Sequence, residues 1–549
     1  MSGKASPSGE TGLYEQMMAA IGGAAHLPAA KQPRPSAAVV LWRQSGGGLE
    51  VFWIRRADTL AFMAGWHAFP GGGLARTDAE CPLLGLPIGA EGFPGPAAMP
   101  ETLTEGIEPP PHLIPGLAAC ALRELLEETG ILPVPELFAG SPSPDLAQRL
   151  ARARRALNEG KLSLAETLTA VGLEADASRL TFAGRWLTPP LGPLRFDNRF
   201  FLLEWPADLP VQPTIEPGEA VEGEWIDPSL AFERWRRGEV ITAPPILHLL
   251  RVLAEDGVAA GRPRLLEPAE ANLGPFRRIE FRPWVVMLPL KAGTLLPATH
   301  TNAYLLGREE LVLVDPGSAA PGEIDRLEAA VQATAERGQR VAAIWLTHHH
   351  PDHVGGVLAL VERLGLPVAA HAETASRVAA RGIRVDRLLE DEERILLAGS
   401  PPFPVRVLHT PGHARGHLCF LDEEGRSLLA GDLLSTVSTI VIDPPEGNMD
   451  DYLASLERIR ALGPLTLFPA HGPPAKDGAA TLAELIRHRL WREERILEAW
   501  REGMREVEAL VERVYEDAPP PARPLAARQV TAHLERLRRA GFRTRSGSG

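Results

Sequence analysis

The sequence predicts a mixed α/β and α+β fold, built as two layered domains in series and closed by a helical module. Three observations predict it. At 549 residues the chain exceeds what one hydrophobic core sustains, so at least two domains are expected. Short apolar runs such as residues 311–314 and 342–346 end in polar motifs and alternate with helical patterns such as 324–337, the signature of strands layered with helices. Beyond His471 the pattern turns wholly helical.

The elements follow in order. Residues 1–35 read as a flexible arm with one short helix over 14–21, because glycine, serine and proline crowd both sides. The first domain, 36–254, opens with strands at 37–43 and 49–55 and the turn Phe69, Pro70, Gly71, Gly72, Gly73. A proline- and glycine-rich insert over 81–116 suits a long surface loop. Apolar residues over 117–128 recur at helical spacing, and Gly130 ends the pattern as a C-terminal cap. Strands at 180–187 and 198–205 and a helix over 245–254 complete this domain. A linker is expected over 255–275, a second domain over 276–480, and a helical module over 481–549 with helices at 481–502, 506–515 and 526–540.

Hydrophobic residues at 45% and charged residues at 23% exclude wholesale disorder. Cys81, Cys120 and Cys419 are odd in number and widely spaced, which argues against a disulfide framework and a cysteine-built zinc knuckle. The first thirty residues lack the basic start and apolar run of a secretory signal, and no apolar stretch is long enough to span a membrane. A cytoplasmic protein is expected. The formal net charge of -13 opposes non-specific binding to nucleic acid over the whole surface.

The segment Thr347, His348, His349, His350, Pro351, Asp352, His353 follows an apolar strand, so its side chains emerge on a loop at the strand's C-terminal end. His348 and His350 can converge on one metal, while Asp352 and His353 turn toward a second position. Imidazole with carboxylate suits zinc, with manganese or iron as poorer alternatives. Three further turns follow apolar runs and could complete the shell: His409 to His413, Ala430-Gly431-Asp432, and Pro469 to Gly472. By these four motifs the second domain resembles the metallo-β-lactamase superfamily, which implies an αββα sandwich. The resemblance implies that His348, His350 and His413 bind one metal, that Asp352, His353 and His471 bind the other, and that Asp432 bridges. It also implies that Asp352 orients a water acidified between the metals, able to attack an ester, thioester or phosphodiester. His349, His371 and His409 read as ordinary solvated histidines, and His417 as either a supporting or a packing residue.

The run from His488 to Glu493, continuing to Ile496 and Leu497, resembles the lactamase-beta-2-like endoribonuclease branch, implying a winged-helix-like module. From Pro521 onward seven arginines stand against the single carboxylate Glu535. They read as a phosphate-contacting surface or as a solvated terminal helix.

In the first domain, Arg123 to Ile131 places Glu124, Glu127 and Glu128 on one helical flank, a crowding that calls for a cation. Magnesium, or manganese, is the natural counter-charge. With the Phe69 to Gly72 turn and Arg123, the segment resembles the Nudix hydrolases, implying an α/β/α sandwich, a metal held by Glu124, Glu127 and Glu128, catalysis by Glu127, and cleavage of a nucleoside diphosphate linked to another group. Two features depart from that pattern: Asp78 stands where a glutamate is expected, and the insert over 81–116 stretches the spacer. Both occur in coenzyme-A-diphosphatase-like relatives, which Arg185 to Pro189 and Arg195 to Asp197 also resemble. Glu219 and Glu222 are candidates for a fourth carboxylate.

The resulting expectation is a hydrolase with two sites, a magnesium site for a nucleotide-type small molecule and a dinuclear site whose partner is single-stranded RNA or a small thioester. The alternative is a (thio)esterase of glyoxalase-II type whose first domain is a non-catalytic nucleotide sensor.

Overall fold

The computed structural model describes residues 33–60, 63–89, 113–140, 143–189, 194–518 and 522–541. The expected helix over 14–21 and the middle of the insert lie outside the described residues. The chain divides into two units with the boundary between Pro283 and Trp284.

The N-terminal unit is organised on the strand Arg34–Ser45, which pairs antiparallel with Gly48–Arg56 and parallel with Phe196–Glu204. Ser45 pairs with Gly48, so the hairpin closes on the two residues Gly46 and Gly47, a sequence suited to two-residue turns. Thr181–Leu187 pairs with Phe196–Glu204, and Ala220–Ile226 pairs with Gly48–Arg56. Alternation sorts the side chains of the central strand. Ala37, Val39 and Leu41 join the core shared with the helix Leu113–Thr129, while Ala38 and Val40 join the core shared with Pro228–Arg236 and Pro244–Leu266. Each fully buried valine or leucine contributes about 1.5–3 kcal/mol, so the two faces together fix the register. Helices Leu146–Asn158 and Leu164–Val171, for which the sequence reading made no assignment, cover the first core.

The segment expected as a linker over 255–275 is instead folded into this unit. Helical structure runs over Pro244–Leu266, interrupted at Gly257, whose φ of 70° is open to glycine. Gly261 lies so near Val252 that a Cβ would stand 2.7 Å from its Cγ1. Glycine and proline here serve a break and a close packing contact, not a flexible tether.

The C-terminal unit holds two sheets. Val285–Lys291, His300–Gly307, Glu310–Val314, Arg340–Trp345, Val368–Ala370 and Arg387–Leu388 lie in that order in one. The other has the order Arg394–Leu397, Phe403–His409, Leu418–Asp422, Ser427–Gly431, Thr466–Pro469. The sheets meet face to face, with the Trp345 and Phe420 rings 5.1 Å apart and the Tyr304 hydroxyl donating to Pro469 O at 2.6 Å. The helix Met449–Arg460 covers the second sheet through Met449, Tyr452, Leu456 and Ile459. Helices Gly478–Arg501, Val507–Val514 and Arg523–Arg539 follow, near the expected bounds. No helix among the described residues is long and apolar enough to cross a membrane. All three cysteines are buried and free, and burial pushes the Cys419 thiol up to about 12.

Candidate metal centre and a carboxylate cluster

Several strands of the C-terminal unit deliver polar turns to one place. His348 to His353 follow Arg340–Trp345, His413 follows Phe403–His409, Asp432 follows Ser427–Gly431, and His471 follows Thr466–Pro469. The structure gathers all seven side chains into two groups, His348, His350, His413 and Asp432 in one, Asp352, His353 and His471 in the other. Within each, the ligand atoms lie within 4.8 Å of one another.

Asp432 faces both groups with different oxygens. Its Oδ2 is 3.3 Å from His413 Nε2 and 4.0 Å from His348 Nε2. Its Oδ1 is 3.3 Å from His471 Nε2 and 3.6 Å from His353 Nε2. Asp352 Oδ2 stands 3.5 Å from His471 Nε2 and 3.9 Å from His353 Nε2. Ligands about 2.0–2.2 Å from a tetrahedral ion stand about 3.3–3.6 Å from each other, so much of this spacing is that of a metal shell. His350 Nδ1 lies 2.9 Å from both His348 Nε2 and His413 Nε2.

Electrostatics agree with a cation site. His353 Nε2 and Asp432 Oδ1 are buried without a hydrogen-bond partner, a costly state unless a charge sits between them. Burial and the neighbouring imidazoles hold His348 and His350 well below the usual histidine range, which leaves their lone pairs free. Burial opposes charge on His353, yet Asp352, Asp432 and Asp315 outweigh it and raise this histidine to about 10. The donor set therefore fits a pair of divalent ions.

A second layer fixes the rings. His413 Nδ1 donates to Val441 O at 2.7 Å and His471 Nδ1 to His300 O at 3.1 Å; a proton on Nδ1 leaves each Nε2 lone pair inward. His353 Nδ1 meets Asp315 Oδ2 at 2.8 Å. Asp315 also accepts from Thr347 N at 2.8 Å and from Thr347 Oγ1 at 2.6 Å. His417 Nε2 accepts from Asp432 N at 3.0 Å, and its Nδ1 meets Thr410 Oγ1 at 2.8 Å, so His417 supports the backbone of Asp432. Asp315 was missed in the sequence. The signal was present, because Asp315-Pro316-Gly317 is another polar turn after an apolar strand. Gly317 is required there by close approach, since a Cβ would stand 1.7 Å from Asp352 O.

His349 lies outside both groups, its ring 4.7 Å from that of His350. His371 and His409 stack on each other at 4.3 Å and likewise lie outside.

In the N-terminal unit the helix Leu113–Thr129 brings Glu124, Glu127 and Glu128 against the turn at Gly71–Gly73. Glu128 Oε2 accepts from Gly71 N at 2.9 Å. Glu124 sits over Gly72, where a Cβ would stand 2.3 Å from Glu124 Oε1. Arg123 grips Asp78 through Nε at 2.9 Å and Nη2 at 3.0 Å, and its Nη1 reaches Glu124 at 2.8 Å and Glu127 at 3.0 Å. Asp78 thus serves as an anchor for Arg123 across the long insert. Burial, reinforced by Glu124, pushes Glu128 up to about 8, and burial pushes Glu127 up to about 7. Glu124 is raised by burial as well. Glu219 adds its negative charge to Glu124 and Glu128, whereas Glu222 pairs with Arg55 at 3.2 Å. Of the two candidates for a fourth carboxylate, Glu219 is the one beside the cluster. The trio does not draw its oxygens into a group as tight as the two in the C-terminal unit.

Residues 296–471 match the family described as Metallo-beta-lactamase superfamily, and residues 507–547 match the Beta-lactamase associated winged helix domain. A Beta-lactamase-like protein 2 homolog of Drosophila melanogaster is 33% identical over 257 residues, 44% of this chain and 83% of its own length. An Atrochrysone carboxyl ACP thioesterase of Aspergillus chevalieri is 33% identical over 205 residues, 37% of this chain and 61% of its own length. A NUDIX hydrolase structure from Alicyclobacillus acidocaldarius aligns at 29% identity and a TM-score of 0.32, covering 42% of this chain and 95% of that one.

Proposed function

Since the chain belongs to the metallo-beta-lactamase superfamily and has its hydrolase fold, we propose that its C-terminal site hydrolyses an acyl thioester and its N-terminal site a nucleoside diphosphate linkage. The observation that carries the first half is the convergence of seven ligands around Asp432, which addresses both groups with separate oxygens. In this reading His348, His350, His413 and Asp432 hold one ion and Asp352, His353, His471 and Asp432 the other. Bound there, zinc, or manganese or iron, supplies an acidified water and stabilises charge on the attacked carbonyl. In this reading Asp352, whose Oδ2 accepts from Thr301 Oγ1 at 3.4 Å, would orient that water and take its proton.

Thioester is favoured over RNA by the state of the basic end. Arg528 pairs with Asp443 at 3.5 Å, Arg539 with Asp450 at 3.2 Å, and Arg536 with both Glu493 and Asp450. Arginines neutralised in this way contribute less to phosphate binding, which depends on displaced counterions. The thioesterase name of one relative points the same way. Single-stranded RNA is the second reading, supported by the number of arginines after Pro521.

For the N-terminal site we propose a Nudix-type centre in which Glu124, Glu127 and Glu128 hold magnesium, or manganese, with Glu127 catalytic. Its support is the raised proton affinity of the three carboxylates, caused first by burial and then by their mutual repulsion, both of which a cation offsets. The two halves meet in one substrate chemistry, an acyl thioester on a diphosphate-bearing nucleotide carrier such as coenzyme A, acting in the cytoplasm. The test offers acyl-coenzyme A thioesters, free coenzyme A and a labelled oligoribonucleotide to the zinc- and magnesium-loaded protein, following thiol release and diphosphate cleavage separately. Thiol release lost in Asp352→Asn and diphosphate cleavage lost in Glu127→Gln support the reading. Oligoribonucleotide cleavage without thiol release overturns the thioester half. Coenzyme A that binds without being cleaved turns the N-terminal unit into a nucleotide sensor.

A further inference from the structure

The helical module beyond His471 carries a buried cation that the proposed chemistry does not use. Arg489, on Gly478–Arg501, is only 2% exposed, and its partners are neutral. Its Nη1 donates to Gln529 Oε1 at 2.7 Å, and its Nη2 donates to Ile440 O at 2.5 Å. Its guanidinium lies 5.3 Å from the centre of the Tyr452 ring. A buried guanidinium with neutral acceptors is expensive, and an apolar residue of similar volume fills such a space at lower cost. A geometric role is the return.

Two of these contacts, with Ile440 and with Tyr452, lead to the candidate metal centre. Ile440 precedes Val441, whose carbonyl accepts a hydrogen bond from His413 Nδ1 at 2.7 Å. Tyr452 donates to Leu433 O at 3.0 Å, next to Asp432. Tyr452 also backs the His413 turn, because a Cβ on Gly412 would stand 2.3 Å from Tyr452 Cα. The line through Ile440 ends on His413, which belongs to the first group alone; the line through Tyr452 ends beside Asp432, which both groups share and whose backbone His417 Nε2 also holds at 3.0 Å. His353 and His471, in the second, are fixed by Asp315 and by His300 O instead.

We propose that Arg489, tied to Gln529, is a positioning residue through which the C-terminal helices, by way of His413, set the affinity of the first metal position far more than that of the second. This rests on the dinuclear reading given above. The lever is the orientation of His413, since a ring that loses its carbonyl acceptor is free to rotate or to exchange tautomers, and removing such supporting partners typically lowers metal affinity about 10- to 100-fold.

The experiment titrates zinc alone into the metal-free full-length chain against a chromophoric chelator, comparing wild type with Arg489→Met, Arg489→Lys and Gln529→Leu, and records the melting temperature of each metal-free protein. Methionine keeps the packing volume and removes both hydrogen bonds. The expected result is two zinc ions in wild type, one of them bound about 10- to 100-fold more weakly in Arg489→Met, with partial recovery in Arg489→Lys. In the His413→Ala background, Arg489→Met should weaken the remaining zinc far less. Unchanged affinity at both positions overturns the proposal, as does equal weakening of both with a fallen melting temperature. If Arg489→Met does not fold, Arg489→Lys and Gln529→Leu decide by the same criterion. Wild-type protein that binds fewer than two zinc ions refutes the dinuclear reading itself, a separate outcome.

Discussion

Replacing Asp315 by asparagine isolates one atom of the metal centre. The Asp315 backbone has φ of 50°, a region asparagine enters as readily as aspartate, so the substitution leaves the turn unstrained. Of the three bonds that the carboxylate accepts, the amide oxygen can keep the one from Thr347 N. The new NH2 then faces Thr347 Oγ1, which can rotate to accept, and His353 Nδ1, which accepts only by giving up its proton. That reverses the tautomer and places hydrogen on Nε2, the atom 3.6 Å from Asp432 Oδ1 that must offer a lone pair to an ion. Keeping the working tautomer instead sets two donors against each other in a buried site, at about 1–3 kcal/mol. The expected loss is about 10- to 100-fold in affinity at the second metal position. The assay is a zinc titration with the His413→Ala variant as background, so that the second position is read alone. Affinity within about twofold of the parent, well below the range such supporting partners carry, would show that Asp315 does not set the His353 tautomer.

Asp432→Ala should empty both positions in elemental analysis, because each group loses an oxygen; full metal content would remove Asp432 from the site. The metal-free N-terminal unit should become less stable as pH rises from about 5 to about 8. The reason is that Glu127 and Glu128 have folded-state proton affinities raised to about 7 and about 8, so the folded state holds more protons than the unfolded across that window. The melting transition of the N-terminal unit should fall accordingly and recover with magnesium; a transition indifferent to pH and to magnesium would refute the cation role of the trio. Gly412→Ala should lower the melting temperature and zinc content together, since its Cβ would stand 2.3 Å from Tyr452 Cα and φ there is 138°.

The seven side chains gathered at the candidate metal centre could be nominated from sequence because each lies on a short polar turn after an apolar strand, a pattern carried by neighbouring residues. Asp315 fits the same pattern but lacks a histidine to draw attention, and its role depends on His353, brought beside it only by parallel pairing of Glu310–Val314 with Arg340–Trp345. Val441 O and His300 O act through the backbone, which no side-chain motif reports. Arg489 was visible as a member of the run from His488 to Glu493, without a role of its own; its burial is set by packing against Met449–Arg460 and Arg523–Arg539. The segment read as a linker holds Gly257, Gly261 and Pro263, yet Gly261 and Leu265 are buried within the N-terminal unit. Glu219 and Glu222 could not be separated in the sequence because only strand register turns one toward the glutamates and the other toward Arg55.

The candidate metal centre offers five imidazoles and two carboxylates, and Cys419 lies inside the second sheet against Thr410. Nitrogen and oxygen donors without sulfur rank the divalent first-row metals mainly by their intrinsic order of complex stability, and ion supply then decides which one is loaded. The metal content of the protein should accordingly follow the medium in which the cells are grown, with iron, manganese and zinc forms obtained from one gene. Rate comparisons between preparations will compare metals unless each is first stripped and reloaded with a single ion.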